Sequence, residues 1–294
     1  MLPAEIVKTF RVKKGRKFQL GDCNPGDTCG LDIEKDDAKE LLEAGVKRLR
    51  GLQERLYAEG RWSVLIVLQA MDAAGKDSAI EHVMSGVNPQ GCDVTSFKAP
   101  SSTELRHDYL WRCAVRLPER GRVGIFNRSY YEEVLVARVH PEILASQNLP
   151  PDLVTDDIWK ERFEDICTFE KHLARNGTIL LKFFLHVSKD EQKRRFMERI
   201  EDPEKRWKFS SQDLVERQHW SAYMDAYEDM IRHTATKSAP WHVVPADNKW
   251  FTRLVIAATI VDRLQKLDPK FPEVGDEVLQ EMDKARKQLA DEKS

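Results

Sequence analysis

The stretch from Val64 to Ile80, VLIVLQAMDAAGKDSAI, constrains this chain more than any other. It opens on an uninterrupted apolar run, Val64 to Leu68, the pattern of a strand buried on both faces as in a parallel sheet. Ala79, Ile80, Val83 and Met84 follow at the spacing of the buried side of a helix. Small residues and one lysine lie between. A buried strand, a tight turn and a helix start form a cradle for phosphate. The turn's N–H groups face the anion, and the helix dipole favours negative charge there. Lys76 adds a full positive charge.

The match to the P-loop pattern G-x-x-x-x-G-K-[ST] is incomplete. Gly75 and Lys76 stand in place, but Ala70 replaces the first glycine and Asp77 the hydroxyl residue that touches magnesium. A strand–turn–helix with a surface lysine is the plainer reading of a bare Gly-Lys. The buried strand ahead of it favours phosphate binding. Without the hydroxyl, a metal has to be held differently.

Charged residues make up 33% of the 294, yet the net charge is −2. That excludes the strong positive excess of a general nucleic-acid binder while leaving room for a locally basic groove. Cys23, Cys29, Cys92, Cys113 and Cys167 are scattered, with no C-x-x-C or Cys/His cluster at zinc spacing. They fit reduced thiols. The N-terminus has no apolar signal core, and no run is long enough to span a bilayer. The expected location is the cytoplasm, with neither membrane nor nucleic acid as a partner.

Residues 1–35 read as an irregular basic arm carrying Lys8, Arg11, Lys13, Lys14, Arg16 and Lys17, either a solvated tail or a strip that helps hold a polyanion. Residues 36–268 read as one catalytic domain. A helix capped by Asp36 or Asp37 runs to Glu59 with leucines on one face. Strands are expected at 94–98, 123–127, 178–187 and 240–245, besides the first. Ser101-x-x-Glu104 is a capping box opening a helix through about Arg116, whose polar face carries Arg106, His107, Asp108 and Arg112. Ser129-x-x-Glu132 and Ser188-x-x-Glu191 repeat that signature. Strands alternating with helices predict an α/β fold, a three-layer α/β/α sandwich with a mainly parallel sheet.

Lys193, Arg194, Arg195, Arg199, Lys205, Arg206 and Lys208 crowd together around Asp202-Pro203, with acids interleaved. This is a charge-laced exposed helix pair or a lid that closes over phosphates, and the P-loop upstream favours a helical lid over about 189–233. One long helix is expected from about Gln212 to His233, with Trp220, Tyr223, Met224, Tyr227 and Met230 as a core stripe. A helix from 250 to 267 is followed by a hinge at Pro269 and Pro272. A C-terminal unit, 269–294, carries a helix with a weak apolar stripe suited to a partner subunit.

Ligands of open α/β sheets bind beyond the carboxyl ends of the strands. Asn127 and Arg128 therefore sit beside the P-loop if their strand neighbours the first. Asp72, Gly75, Lys76, Asn127, Arg128 and the basic lid then make a phosphoryl-transfer kit, which needs alignment, metal and positive charge more than covalent help. Lys76 and Arg128 supply charge. Asp72 holds a metal or orients the acceptor, and the backbone of Ala73, Ala74, Gly75, Asp77 and Ser78 cradles phosphate. No Gly-x-Ser-x-Gly elbow is present, and Asp247-Asn-Lys249 is not the guanine-reading Asn-Lys-x-Asp.

The motifs LQAMDAAGKDS (68–78), YLWR (109–112), IFNRSYY (125–131), LKFFLHVS (181–188), KRWK (205–208) and APW (239–241), in this order, resemble the polyphosphate kinase 2 family over about residues 35–265. The resemblance implies a thymidylate kinase-like fold with a helical lid, and phosphoryl transfer between inorganic polyphosphate and adenine (alternatively guanine) nucleotides. It also implies Mg2+ (or Mn2+) and a homodimer or homotetramer. Lys76 and Arg128 would grip the phosphoryl group, and Asp72 with Asn127 as helper would place the metal. Arg112, Arg194, Arg199, Arg206 and Lys208 would bind phosphate. The family more often reads Asp-Arg-Ser-Trp-Tyr-Asn-Arg where this chain has Asn-Arg-Ser-Tyr-Tyr-Glu-Glu. The departure resembles the class III branch, which accepts nucleoside mono- and diphosphates, and marks Glu132 as a residue that helps admit a monophosphate. The rival readings are an ATP-dependent nucleoside monophosphate kinase and a non-catalytic polyanion- or nucleotide-binding regulator.

Overall fold

Every residue of strand β2 (Ser63–Gln69) is buried, as its apolar run requires of a strand covered on both faces. The computed structural model describes residues 4–31, 33 and 35–292. In it β2 lies between β4 (Val123–Asn127) and β5 (Thr178–His186), parallel to both, with Leu68 opposite Asn127 and Phe183. β3 (Cys92–Ser96) extends the parallel sheet beyond β4, and β6 (Trp241–Pro245) extends it beyond β5. The order across the sheet is β1-β6-β5-β2-β4-β3, with β1 (Arg11–Val12) at one edge.

Helices cover both faces of this sheet, making three layers in all. α1 (Lys35–Glu59) packs along α7 (Lys249–Leu267), which also touches the P-loop helix α2 (Lys76–Val83). α3 (Ile158–Arg175) packs on α6 (Trp220–Thr234). The basic segment supplies α4 (Lys189–Glu201) and α5 (Ser211–Gln218), and α8 (Asp276–Asp291) ends the chain with an exposed surface.

Four expectations need correction. The first residues are not irregular: Ala4–Thr9 is helical, and β1 (Arg11–Val12) pairs antiparallel with β6. Val7, Phe10 and Leu20 are buried while Lys13, Lys14 and Arg16 face outward, so the apolar residues between the cations dock the segment. Gly15 has a reason too, since a Cβ there would meet the Ile231 carbonyl oxygen at 2.2 Å. The Ser101–Glu104 box forms, with Ser101 N–H donating to Glu104 at 2.7 Å. It opens only a 3-10 turn (Glu104–Arg106) and a one-turn helix (Trp111–Ala114), because Asp108 accepts from Leu110 N–H and competes with helix continuation. Ser129 likewise caps a 3-10 turn, Tyr130–Val134, since Glu132 is drawn to Arg128 instead of back to the cap. The long helix expected from Gln212 breaks at His219, where Glu216 is tied sideways to His140 at 2.7 Å and to the Tyr223 hydroxyl at 2.6 Å.

Candidate active site

From the end of β2 the chain turns through Ala70–Gly75 before α2 begins. The turn needs two left-handed positions, Ala73 at φ 61° and Gly75 at φ 108°. Glycine takes the second without strain, whereas an alanine at the first marks a conformation held by its surroundings. Those surroundings are α4. Arg195, only 4% exposed, donates to the carbonyl oxygens of Ala73 (3.0 Å), Ala74 (2.7 Å), Ala246 (2.6 Å) and Asp247 (3.1 Å), and to Glu191 (2.7 Å). Gln192 donates to the Asp72 carbonyl at 2.9 Å and accepts from Arg217 of α5 at 2.8 Å. The loop is thus clamped from beneath by the helix expected to form the lid.

Lys76 bends back over the loop and donates to the carbonyl oxygens of Ala70 (2.9 Å) and Met71 (3.3 Å). Burial, and next the charge of Arg128, push its ammonium down to about 8, against the opposing pull of Asp72, Glu132 and Asp77. Arg128, the first residue after β4, sits at φ 64°. Its guanidinium donates to Asp72 and, at 2.9 Å, to Glu132. Glu132 above all, and Asp72 with it, hold it charged well beyond the ordinary arginine range.

The structure brings Asp72, Lys76, Arg128 and Glu132 together, because β2 and β4 are neighbours. Asn127 Nδ2 donates to Asp77 Oδ1 at 2.5 Å and to Ser96 at 3.4 Å. In P-loop NTPases the loop supplies a hydroxyl and a strand supplies a carboxylate. Here the loop supplies the carboxylate and the strand an amide. Asp72, Asp77, Glu132 and Asn127 are oxygen donors of the hard kind that magnesium takes beside substrate phosphates. No group of three or more His, Cys, Asp or Glu side chains arranged to hold a metal occurs among the described residues.

Asp72, Arg128 and Glu132 open into a cleft of about 970 Å³, walled also by Phe97, Tyr109, Tyr223 and Tyr227. Tyr223 and Tyr227, read above as core, are buried yet line this cleft. Arg112 reaches it, donating to the Lys98 carbonyl at 2.7 Å and lying 3.3 Å from Glu104. Lys208 reaches it too. Arg194 instead pairs with Glu191 at 2.7 Å and Glu198 at 3.4 Å, Arg199 pairs with Asp213 at 3.2 Å, and Arg206 donates to the Ile200 and Glu201 carbonyls.

Behind the Ser129–Val134 turn lies a buried ion pair. Lys182 of β5, fully buried, donates to Glu170 (2.7 Å), the Tyr131 hydroxyl (2.8 Å) and the Thr234 carbonyl (2.9 Å). Glu170 also accepts from Tyr130 at 2.9 Å. The two tyrosines adjoining Arg128 and Glu132 are thereby fixed from the core.

A mainly parallel sheet, a lysine-bearing loop at a helix start and an arginine just past the neighbouring strand define a phosphotransferase with a P-loop kinase-like fold. The sequence model described as polyphosphate kinase 2 matches residues 32–272, and the chain belongs to that family. It is 50% identical over 284 residues to a Rhodopseudomonas palustris protein named ADP-polyphosphate phosphotransferase, a match covering 96% of this chain and 98% of the relative. It is 45% identical over 267 residues to a Meiothermus ruber protein named AMP/ADP-polyphosphate phosphotransferase, covering 91% and 96%. The crystal structure of polyphosphate kinase 2 from Arthrobacter aurescens superposes with a TM-score of 0.87 at 40% identity, over 95% of this chain and 96% of the other. Among the described residues no helix is long and apolar enough to cross a membrane.

Proposed function

We propose that the chain transfers a phosphoryl group from inorganic polyphosphate to AMP and ADP, forming ADP and ATP, with magnesium. The observation that carries this is the joining of Arg128 and Asp72 just beyond the adjoining ends of β2 and β4, facing one cleft, with the buried ammonium of Lys76 within reach of both charges, in a member of this family. The names of the relatives from Rhodopseudomonas palustris and Meiothermus ruber support ADP and AMP as acceptors, and the second favours the class III acceptor range.

Lys76 and Arg128 balance charge on the phosphoryl oxygens in transit. Asp72, with Asp77 and Asn127, would hold magnesium, which when bound would supply Lewis-acid stabilisation of the charge on the phosphoryl oxygens. Glu132 acts through Arg128: by taking one side of the guanidinium it fixes where the other side points. The aromatic wall of the cleft suits the nucleobase.

The test is ATP or ADP formation from polyphosphate and magnesium, with ADP and AMP supplied separately. Both reactions are expected, and Lys76→Ala should lower the rate at least about a hundredfold, the loss typical of deleting one such charge-stabilising group. Product from ADP alone would confine the acceptor range. Product only with ATP as donor would move the chain to the nucleoside monophosphate kinases.

A further inference from the structure

Gln69 is fully buried at the carboxyl end of β2, directly after the apolar run Val64 to Leu68. A carboxamide in such a place is costly unless both of its ends find partners. The turn after β4 supplies them. The amide oxygen accepts from the Ser129 hydroxyl at 3.0 Å and from the Ser129 N–H at 3.2 Å, and the amide nitrogen donates to Glu132 Oε1 at 2.8 Å. The reverse orientation would set the oxygen against the Glu132 carboxylate and the nitrogen against the Ser129 N–H. Ser129 is fixed in turn, since its hydroxyl accepts from the Tyr131 N–H at 3.2 Å and its carbonyl from the Glu132 N–H at 3.1 Å. Glu132 is thereby held at both oxygens, Oε1 by Gln69 and Oε2 by Arg128 Nη1 at 2.9 Å. Arg128 Nη2 donates onward to Asp72 Oδ1. The ring Gln69–Glu132–Arg128–Asp72 closes on the chain itself, because its two ends lie on one short stretch at the end of β2. Asp72, Arg128 and Glu132 line the cleft, whereas Gln69 is its neutral member and is out of reach of anything bound there.

We propose that Gln69 is a positioning residue for acceptor choice: by fixing Glu132 from the core, it keeps the Arg128 guanidinium aimed for a nucleoside monophosphate. The inference rests on the reading that Glu132 takes part in that choice. A monophosphate brings one phosphate fewer to the cleft than a diphosphate. It therefore has fewer contacts with which to draw a loose guanidinium into line, and depends more on one already in place. A diphosphate, with its second phosphate, tolerates a looser Arg128. Glu132 without Gln69 would keep its bond to Arg128, but the pair could swing together about the turn.

The test measures kcat/KM for AMP and for ADP, with polyphosphate saturating, in wild type, Gln69→Met, Glu132→Asn and the double variant carrying both changes. Methionine keeps the length of the side chain and removes both bonding ends. Gln69→Met should lower the AMP value about tenfold and the ADP value less than about threefold, the scale of one lost hydrogen bond to a charged group. In the Glu132→Asn background the same change should leave the AMP-to-ADP ratio within about twofold, because the partner through which Gln69 acts is already gone. Independent effects of the two changes on the ratio overturn the proposal. If Glu132→Asn shifts the ratio and Gln69→Met does not, the proposal alone falls. If Glu132→Asn leaves the ratio unchanged, the reading beneath it falls and the proposal with it. An exchanged pair guards against a Gln69→Met that does not fold. Gln69→Glu sets two carboxylates together, and Gln69→Glu with Glu132→Gln restores a donor facing an acceptor. The exchanged pair should recover at least about tenfold of the AMP kcat/KM lost in Gln69→Glu, or recover folding where Gln69→Glu has lost it. An exchanged pair no better than Gln69→Glu overturns the proposal.

Discussion

The proton on Lys76 gives the most direct physical test of the site. Its ammonium falls from an ordinary 10.5 to about 8, chiefly through burial and next through Arg128. At about 1.4 kcal/mol for each tenfold change in proton affinity, the charged form is disfavoured in the free folded chain by about 3 kcal/mol. NMR of the Lys76 side chain, in protein free of added phosphate, should show a titration near pH 8. Neutralising Arg128 (Arg128→Gln) should move it up, and neutralising Asp72 (Asp72→Asn) should move it down. Adding tripolyphosphate should move it up as well, since an anion on the loop favours the charged form. In kinetics, kcat/KM reports the free enzyme and should fall above about pH 8, while kcat should hold to higher pH. The sign for stability follows from the same numbers. Between pH 8 and 10.5 the unfolded chain carries more protons at this residue than the folded chain. Wild type should therefore gain on Lys76→Met across that window, by up to about 3 kcal/mol in urea unfolding. A Lys76 that titrates at 10 or above, or that moves down on loss of Arg128, refutes the reasoning.

Three other substitutions probe the supports of the site. Arg195→Lys keeps the charge but not the planar fork that reaches four carbonyl oxygens; kcat should fall about a hundredfold through loop misplacement, and a loss under threefold would show that the clamp is dispensable. Lys182→Met leaves Glu170 buried beside two tyrosines and should lower unfolding stability by about 3–5 kcal/mol, while Glu170→Gln with Lys182→Met should recover much of it; a single-variant loss below about 1 kcal/mol would mean that the pair is not desolvated as its burial indicates. Glu132→Asn frees one side of Arg128 and should change the ratio of kcat/KM for AMP to that for ADP; an unchanged ratio removes Glu132 from acceptor choice.

The parallel strands were legible in the sequence because burial on both faces writes an unbroken apolar run, and β2, β4, β5 and β6 are buried along nearly all of their lengths. β1 was not legible. Two residues carry no periodicity, and the surrounding lysines read as a tail, although Phe10 and Leu20 anchor the segment. Lys76, Asp72, Asn127 and Arg128 stood out because each lies at, or shortly after, the carboxyl end of a buried strand. Arg195 did not, since it sits in a run of cations beside Arg194. The two are successive on a helix and about 100° apart, so one faces solvent and the other the P-loop. The signal that separates them is the spacing of Gln192, Arg195 and Phe196, a buried face at i, i+3 and i+4 that includes an aromatic residue.

Asp77 and Asn127 carry a different lesson. Each, taken alone, weakens the match to a magnesium-dependent P-loop: the loop lacks its hydroxyl, and the strand lacks its carboxylate. In space they are one hydrogen-bonded pair, so the carboxylate has changed sides and not disappeared. The exchange is self-consistent. An aspartate at 127 facing Asp77 would set two like charges within hydrogen-bond distance and force one to hold a proton. An amide there donates to Asp77 instead, so the two side chains meet as donor and acceptor. Sequence patterns score positions one at a time, so a compensated pair fifty residues apart reads as two defects until the sheet sets β4 beside β2.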